Sequence, residues 1–410
     1  MKRKLDVYLL EHFVGQLSQN DSGELGFAYA AKWLENSQAV PLSQSLPLQT
    51  EPFLNPDCHG YFGGILPEEA KRERIAKNLG ISARNDFAML AEIGGECAGA
   101  VTFLSEGQPL VTDAPDYKAL SEEGLAEVLR DLPKRPLLAG EEGIRLSLAG
   151  AQDKITLHRS KEGFAIPLNG APSTHILKPA IERFEDTVLN EAVCMKLAKA
   201  IGLPVAEVEI LTVEDMQVLS VERYDRLIGE HGIQRLHQED FCQALGIVSE
   251  MKYQNEGGVS IEQAFDLLRS VSAVPALDLP HLLDAVIFNC LIGNNDAHGK
   301  NFSLLYSAGQ TRIAPLYDLL CTLYYPELAT KMAMKIGGKY KPNDVYARHF
   351  EKLAKEAGLS RPMVLKRVMT IADKTLSCLH DVEAEMPDST KLIRFIRERI
   401  EGLKVRMVPP

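Results

Sequence analysis

The spacing of apolar residues changes character along the chain. Short β-type runs prevail up to about residue 236, and longer runs at helical spacing follow them. The expected strands lie at 5–10, 154–158, 164–167, 174–178, 206–211 and 217–221. This order predicts an α+β fold in which a β-rich lobe precedes a mostly helical lobe. A cleft between two dissimilar lobes is a common place for a ligand.

Helical spacing and end signals predict the helices. Pro67 and the carboxylates after it suit a first turn, and Gly80 suits the end of the same helix. Helices are expected at 67–79, 120–132, 190–201, 261–271, 282–292 and along 362–404. Segment 27–34 fits either a helix or a strand that leads into one. A hairpin is expected from 302–305 and 312–314, turning at Ala308-Gly309.

The length of 410 residues predicts two or three packed units. Four prolines between residues 106 and 143 indicate a connecting region. We therefore expect a small α+β subdomain at 1–105, a β-rich lobe at 106–236 and a helical lobe at 237–410.

Composition narrows the class of protein. Hydrophobic residues make up 45% and charged residues 25%, which is an ordinary globular balance. The net charge of -11 does not favour binding of nucleic acid through bulk electrostatics. A local basic patch is still compatible with this net charge. Seven scattered cysteines without a CxxC pair indicate reduced thiols and not a zinc site. No apolar run approaches 18 residues, so a cytoplasmic protein without membrane contact is expected.

The strongest chemical signal is the segment 294–301, which follows an expected buried helix. Asp296 and Asn301 stand at the Asp-x4-Asn spacing of a protein-kinase catalytic loop, and Asp318 follows the expected hairpin. A carboxylate at Asp296 can orient or deprotonate an attacking hydroxyl. The oxygens of Asn301 and Asp318 suit Mg²⁺, and Lys300 can neutralise phosphate charge. The alternative is a polar loop whose Asn and Asp residues only cap and turn.

Three further segments have weaker signals. Lys178 ends an expected strand, where a lysine can pair with nucleotide phosphates, and Glu191 is its expected carboxylate partner. The small-residue turn at 147–154 could bring backbone amides close to phosphate oxygens. Segment 221–226 could present its backbone to an adenine edge. Taken singly, these could be a surface lysine, a β-turn and a strand end with salt bridges.

Together these pieces resemble the HipA family of bacterial toxin kinases. The matching segments are 147–154, 174–178, 221–226, 238–240, 295–303 and 315–318, with 26–29 and 65–68 in the opening subdomain. The resemblance implies a fold related to protein kinases, with Asp296 as catalytic base and Asn301 and Asp318 on Mg²⁺. It implies that ATP is held by Ala149, Gly150, Ala151, Gln152, Asp153, Lys154, Lys178, Glu222, Arg223, Tyr224, His298, Gly299, Lys300, Asn301, Tyr317 and Asp318.

The same resemblance implies a biological role. Ser147 matches the position at which such kinases phosphorylate themselves and become inactive, and the added negative charge would repel the phosphates of ATP. Family members phosphorylate a serine of a protein target, an aminoacyl-tRNA synthetase in the defining cases, and so stall translation. A HipB-like helix-turn-helix antitoxin carries the toxin to operator DNA. Two alternatives stay open: a kinase-fold corepressor without strong catalysis, and a small-molecule kinase.

Overall fold

The computed structural model describes residues 3–110, 115–229 and 232–407, and the chain forms two compact units. Unit 1 comprises Met1–Ile181 and Leu211–Glu250, and unit 2 comprises Glu182–Ile210 and Met251–Pro410. Unit 1 is rich in strands and unit 2 is mostly helical. The α+β fold predicted from the sequence is confirmed.

The described strands are short, with four to eight residues each. In chain order they are β1 (Arg3–Leu9), β2 (His12–Gln19), β3 (Leu25–Tyr29), β4 (Val101–Ser105), β5 (Asp116–Ala119), β6 (Ile155–Ser160), β7 (Gly163–Leu168), β8 (His175–Pro179), β9 (Val208–Val213), β10 (Met216–Glu222), β11 (Arg226–Gly229), β12 (Gly232–Arg235), β13 (His237–Asp240), β14 (Ser303–Ser307) and β15 (Gln310–Ile313).

The helices are short in unit 1 and longer in unit 2. In chain order they are α1 (Ala31–Leu34), α2 (Asn55–Cys58), α3 (Glu69–Leu79), α4 (Asp86–Ile93), α5 (Glu122–Asp131), α6 (Thr187–Ala200), α7 (Phe241–Ala244), α8 (Ile261–Val271), α9 (Pro275–Ile292), α10 (Ala347–Glu356), α11 (Arg361–Glu385) and α12 (Thr390–Met407).

Unit 1 contains two larger antiparallel sheets and the two-stranded hairpin β11–β12. The first has the order β3-β2-β1-β4, and its inward residues, such as Val7 and Phe27, are fully buried. The second has the order β5-β7-β6-β8-β10, and β9 lies at the edge beside β10. In it, Lys178 on β8 stands opposite Leu219 on β10. A central strand of a sheet is a rigid place from which to present a charged side chain.

Unit 2 is built around the buried helix α9. Helices α8, α11 and α12 pack against α9, and α11 also contacts α6 and α10. Helix α8 begins at Ser260, whose hydroxyl accepts from the Gln263 amide while the Gln263 side chain accepts from the Ser260 amide. The hairpin β14–β15 follows the candidate catalytic loop and is anchored to α9 by Arg312, whose guanidinium pairs with the buried Asp278 at 2.8 Å.

Several local expectations are decided by these bounds. Segment 27–34 is the end of strand β3 followed by the short helix α1. The expected helix 282–292 begins earlier, at Pro275, because proline is well placed in a first turn. The C-terminal helical stretch is two helices, α11 and α12, and a short 3₁₀ turn at Pro387–Ser389 separates them. Helix α9 was predicted too short, and α11 and α12 were predicted as one helical stretch. In both cases the ends of the helix depend on tertiary packing.

One helix among the described residues is long and apolar enough, by length and composition alone, to cross a membrane. Helix α9 has 18 residues and is apolar enough to cross a membrane, yet 67% of it is buried inside the protein. Such burial is typical of the core helix of a globular unit. Its two carboxylates, Asp278 and Asp284, pair with Arg312 and Arg367.

Candidate active site

The loop after α9 is held in place by its own polar side chains. Gly293 ends the helix with a positive φ of 80°, and Asn294 donates to Asn289 Oδ1 at 2.8 Å. The Asn295 amide donates to Thr322 Oγ1 at 2.7 Å, and Thr322 donates in turn to the Gly293 carbonyl. These bonds fix the loop on both sides of Asp296, as the position of a catalytic group requires.

Asp296 is half-buried and has a neutral hydrogen-bond donor beside it. The hydroxyl of Tyr253 donates to Asp296 Oδ1 at 2.7 Å. The Tyr253 ring also meets the ring of His298 edge-on, with 5.5 Å between the centroids. Tyr253 therefore orients the carboxylate without adding a positive charge. Nothing in the sequence pattern distinguished this tyrosine, because 43 residues separate it from Asp296.

Asn301 and Asp318, the two expected magnesium ligands, lie side by side. Asn301 Nδ2 donates to Asp318 Oδ2 at 2.8 Å, and Asn301 Oδ1 accepts from the His298 amide at 3.2 Å. Asp318 has a φ of 58°, a left-handed conformation that few residues other than glycine adopt. The carboxylate and the side-chain amide that lie together here are oxygen-bearing groups of the kind that fits Mg²⁺, which is commonly held by few protein groups together with phosphate oxygens.

The described residues contain no cluster of three or more His, Cys, Asp or Glu side chains that could hold a metal ion.

Tyr317 connects the catalytic loop to the hairpin. Its hydroxyl donates to the Lys300 carbonyl at 2.7 Å and lies 2.7 Å from the Ser303 hydroxyl. Lys300 and Gly299 are buried in a 3₁₀ turn that His298 precedes. The predicted residues of this unit, from Asp296 to Asp318, thus form one hydrogen-bonded group.

The predicted residues of unit 1 lie on β8, on the turn before β6 and at the end of β10. Lys178 is 7% exposed on β8. The turn 149–154 is partly exposed, and Gly150 has a φ of 101°. A side chain at Gly150 would be strained there and would meet Lys154 Nζ, which lies 2.8 Å from the Cβ position. Ser147, just before the turn, is fully buried and donates to the Ile65 carbonyl at 3.0 Å.

The expected hinge contains one residue that the structure uses differently. Glu222 is exposed and Tyr224 is half-buried, with the Tyr224 hydroxyl bonded to Gln238. Arg223 is 3% exposed, and its guanidinium pairs with Glu96 and Asp225 at 3.0 and 2.9 Å. The side chain of Arg223 is thereby committed to an internal ion cluster. A hinge role for Arg223 is confined to its backbone.

That ion cluster, composed of Glu96, Arg223, Asp225 and Arg226, is buried throughout. Arg226 pairs with Glu96 at 2.5 Å and with Asp225 at 2.9 Å. Burial raises the pKa of Glu96, but the charges of Arg223 and Arg226 outweigh burial, so the net pKa is below its usual value. Segment 221–226 therefore has the salt bridges at a strand end that were one of its two interpretations.

The structure groups the predicted residues unit by unit. In unit 2 it brings Asp296, His298, Asn301 and Asp318 together, whereas Lys178 lies in unit 1 and its expected partner Glu191 lies in unit 2. The pairing of Lys178 with Glu191 stays a prediction. Sequence reasoning overlooked Tyr253, Lys71 and Glu96, whose partners are 43 to 127 residues away along the chain.

Comparisons with known proteins show similar sequences and a similar fold. The model of the HipA-like C-terminal domain matches residues 146–379, and that of the HipA N-terminal domain matches residues 5–104. A Sinorhizobium fredii protein named "Putative kinase Y4mE" is 47% identical over 402 residues, which cover 96% of each chain. The serine/threonine-protein kinase toxin HipA of Shewanella oneidensis is 30% identical over 93% of this chain and 90% of its own.

A solved structure is similar over the same extent. It contains the Shewanella oneidensis HipA with HipB and its operator DNA, and it superposes with a TM-score of 0.86 at 28% identity. The match covers 99% of this chain and 100% of that one.

Proposed function

The chain belongs to the HipA family, and on this premise we propose that it is an ATP-dependent protein serine/threonine kinase that requires Mg²⁺. The observation that carries the proposal is the group formed by Asp296, Asn301 and Asp318 within one hydrogen-bonded loop and hairpin. These are the groups that phosphoryl transfer from a nucleotide needs: a base and two hard oxygen ligands.

In this proposal Asp296 orients the hydroxyl of a substrate serine and receives its proton. The serine oxygen forms a bond to the γ-phosphorus of ATP, the bond between that phosphorus and the β,γ-bridging oxygen breaks, and ADP leaves. Asn301 and Asp318 would hold Mg²⁺, which when bound neutralises the charge of the β- and γ-phosphates. Lys300 adds a positive charge beside the same loop, and His298, Gly299 and Tyr317 complete the pocket.

Unit 1 would supply the nucleotide-binding groups. Lys178 would pair with the phosphates, and the turn from Ala149 to Lys154 would offer its backbone amides to their oxygens. The exposed strand end at Glu222 and the adjacent Tyr224 would contact adenine, with Arg223 acting through its backbone. The functional division into an N-terminal subdomain, a nucleotide lobe and a catalytic lobe at 1–105, 106–236 and 237–410 is part of the same proposal.

The proposed biological role is that of a toxin whose partner is a HipB-like antitoxin. The similarity to a HipA structure that contains HipB and operator DNA supports the antitoxin as partner. The net charge of -11 supports DNA contact mainly through that partner. The proposed substrate is a serine of a protein such as an aminoacyl-tRNA synthetase. Autophosphorylation is proposed at Ser147, whose buried hydroxyl must first leave the Ile65 carbonyl.

The test is transfer of radiolabel from ATP with Mg²⁺ to protein acceptors in a cell extract. Asp296→Asn and Asp318→Asn should each lower labelling by at least about 100-fold, because they remove the base or a metal ligand. Asp381→Asn, at an exposed position on α11, is the matched control and should label like the wild type. Ser147→Ala should remove label from the chain itself.

Circular dichroism should show that all four variants retain the fold. Undiminished labelling by Asp296→Asn would contradict the proposal. Operator binding with the antitoxin but no labelling by the wild type would favour the corepressor alternative. Label found only in metabolites would favour a small-molecule kinase.

A further inference from the structure

The turn proposed to hold phosphate rests on residues 65–71 of the N-terminal subdomain, within unit 1. Ser147 donates to the Ile65 carbonyl at 3.0 Å. Pro67 forms a parallel bridge with Gly150, and Lys71 Nζ donates to the Gln152 carbonyl at 2.9 Å. Three separate contacts therefore connect one short segment to successive positions of the turn. The contact to Gln152 is made by Lys71, a residue of α3 to which the proposed function assigns no role.

Lys71 is an unusual lysine because it is almost fully buried. Its side chain is 2% exposed, although lysine is among the residues most often left in water. Burial lowers its pKa well below the ordinary value, and the nearby positive charges of Lys154 and Lys178 lower it further. Asp153 and Glu68 act in the opposite direction. A polyphosphate bound beside Lys71, Lys154 and Lys178 would offset this effect, because its negative charge favours the protonated form of Lys71.

The contact to Gln152 also determines which way the next amide points. The described residues contain no cis peptide bond, so the carbonyl of Gln152 and the N–H of Asp153 point in opposite directions. Because Lys71 holds the carbonyl on the side of α3, the Asp153 N–H is directed to the other side of the turn. An amide directed in this way is a donor for a phosphate oxygen, as in other anion-binding turns.

We propose that Lys71 is a positioning residue for nucleotide phosphates: it holds the 152–153 peptide so that the Asp153 N–H faces the phosphates, and its charge adds to that of Lys154 and Lys178. This inference rests on the proposed function. It gives the N-terminal subdomain a direct part in nucleotide binding, since α3 belongs to that subdomain.

The test measures binding of ATP with Mg²⁺, and separately of adenosine, by titration calorimetry of the full chain. Lys71→Met should weaken ATP binding by about tenfold or more, because it removes a charged donor. Adenosine carries no phosphate, so its affinity should stay within about twofold of the wild type. In the kinase assay the KM for ATP should rise while kcat at saturating ATP changes little. Lys77→Met, at an exposed position of α3, is the matched control.

Lys71→Arg, which retains a charged donor, should recover most of the ATP affinity. If Lys71→Met fails to fold, Lys71→Gln takes its place, since glutamine is more easily buried without charge. Equal losses for ATP and adenosine would show that Lys71 only supports the fold, and unchanged ATP affinity would remove it from the site; either result overturns the inference. A wild-type chain that does not bind ATP at all would instead overturn the proposed function.

Discussion

Two groups of buried polar residues in this protein show opposite designs. The ion cluster of unit 1 pairs each of its charges with an opposite charge, and its four side chains are at most 2% exposed. The catalytic loop of unit 2 holds Asp296 half-buried beside a tyrosine hydroxyl and sets Asp318 beside an amide. The first arrangement satisfies charges within the protein. The second orients carboxylates by neutral donors and leaves their charge uncompensated by those donors.

We expect this difference to separate acidic residues that stabilise the fold from those proposed to act in phosphoryl transfer. A carboxylate neutralised by two arginines has little remaining attraction for a proton or a metal ion, whereas one oriented by a neutral group retains it. The cluster connects Glu96, near the N-terminal sheet, to the end of β10, so we expect it to act on stability. The loop should act on turnover. Substitutions in the two regions should therefore have separable effects.

The largest effect is expected from Glu96→Gln in the ion cluster. The variant leaves buried arginines without one of their carboxylates, which should lower the free energy of unfolding by about 3–5 kcal/mol. The measurement is urea unfolding followed by the fluorescence of Trp33, the chain's one tryptophan, which is buried in unit 1.

Glu106→Gln is the matched control, because Glu106 forms an exposed pair with Lys4 at 3.1 Å. That variant should change stability by less than about 1 kcal/mol. Equal unfolding midpoints for the two variants would mean that the buried cluster is not a source of stability.

A smaller effect is expected from Tyr253→Phe in the catalytic loop. Loss of the hydroxyl that orients Asp296 should lower kcat by about tenfold, the usual consequence of losing one hydrogen bond to a charged group. The KM for ATP and the unfolding midpoint should stay near the wild-type values, since the ring that packs against His298 is retained. Steady-state kinetics of phosphoryl transfer would measure both constants.

Tyr346→Phe removes a phenol hydroxyl from an exposed residue of the same unit and serves as control. A kcat for Tyr253→Phe equal to that of the control would show that the hydrogen bond to Asp296 has no part in turnover.

The smallest effect is expected from the ion pair between His59 and Asp86, which is only partly buried. His59 Nδ1 lies 2.7 Å from Asp86 Oδ2, and Arg72 bonds to the same carboxylate. The hydrogen bond to Asp86 raises the pKa of His59. A raised pKa means that this stabilisation is complete below the unfolded value of about 6.5 and is lost as the pH rises through the folded value.

Unfolding free energies of the wild type and His59→Gln should therefore differ most below about pH 6.5, the unfolded value, and should converge as the pH rises through the raised folded pKa. The difference should be below about 1 kcal/mol, because His59 is partly exposed and solvent screens the pair. His380→Gln, at an exposed histidine, controls for the loss of an imidazole. A difference that grows with pH would contradict the assignment.

Local patterns were sufficient for much of the fold. Helix α8 has the bounds expected from its apolar spacing, and the hairpin β14–β15 lies where its turn residues indicated. Segment 27–34 could not be decided from spacing, because a five-residue strand and a four-residue helix share it. Helix α9 extends further toward the N-terminus than predicted, and its first turns include Asp278, which pairs with Arg312 from the hairpin.

The linear pattern was sufficient to predict the α+β class, most elements and 294–301 as the candidate functional segment, because caps, turns and short motifs act over a few residues. Only the tertiary structure decided that Tyr253 orients Asp296, that Lys71 holds the turn at Gln152 and that Arg223 faces an ion cluster. Each of these depends on groups that are distant along the chain and adjacent in space. Hydrogen bonds and ion pairs depend on distance in space, and a linear pattern does not encode that distance.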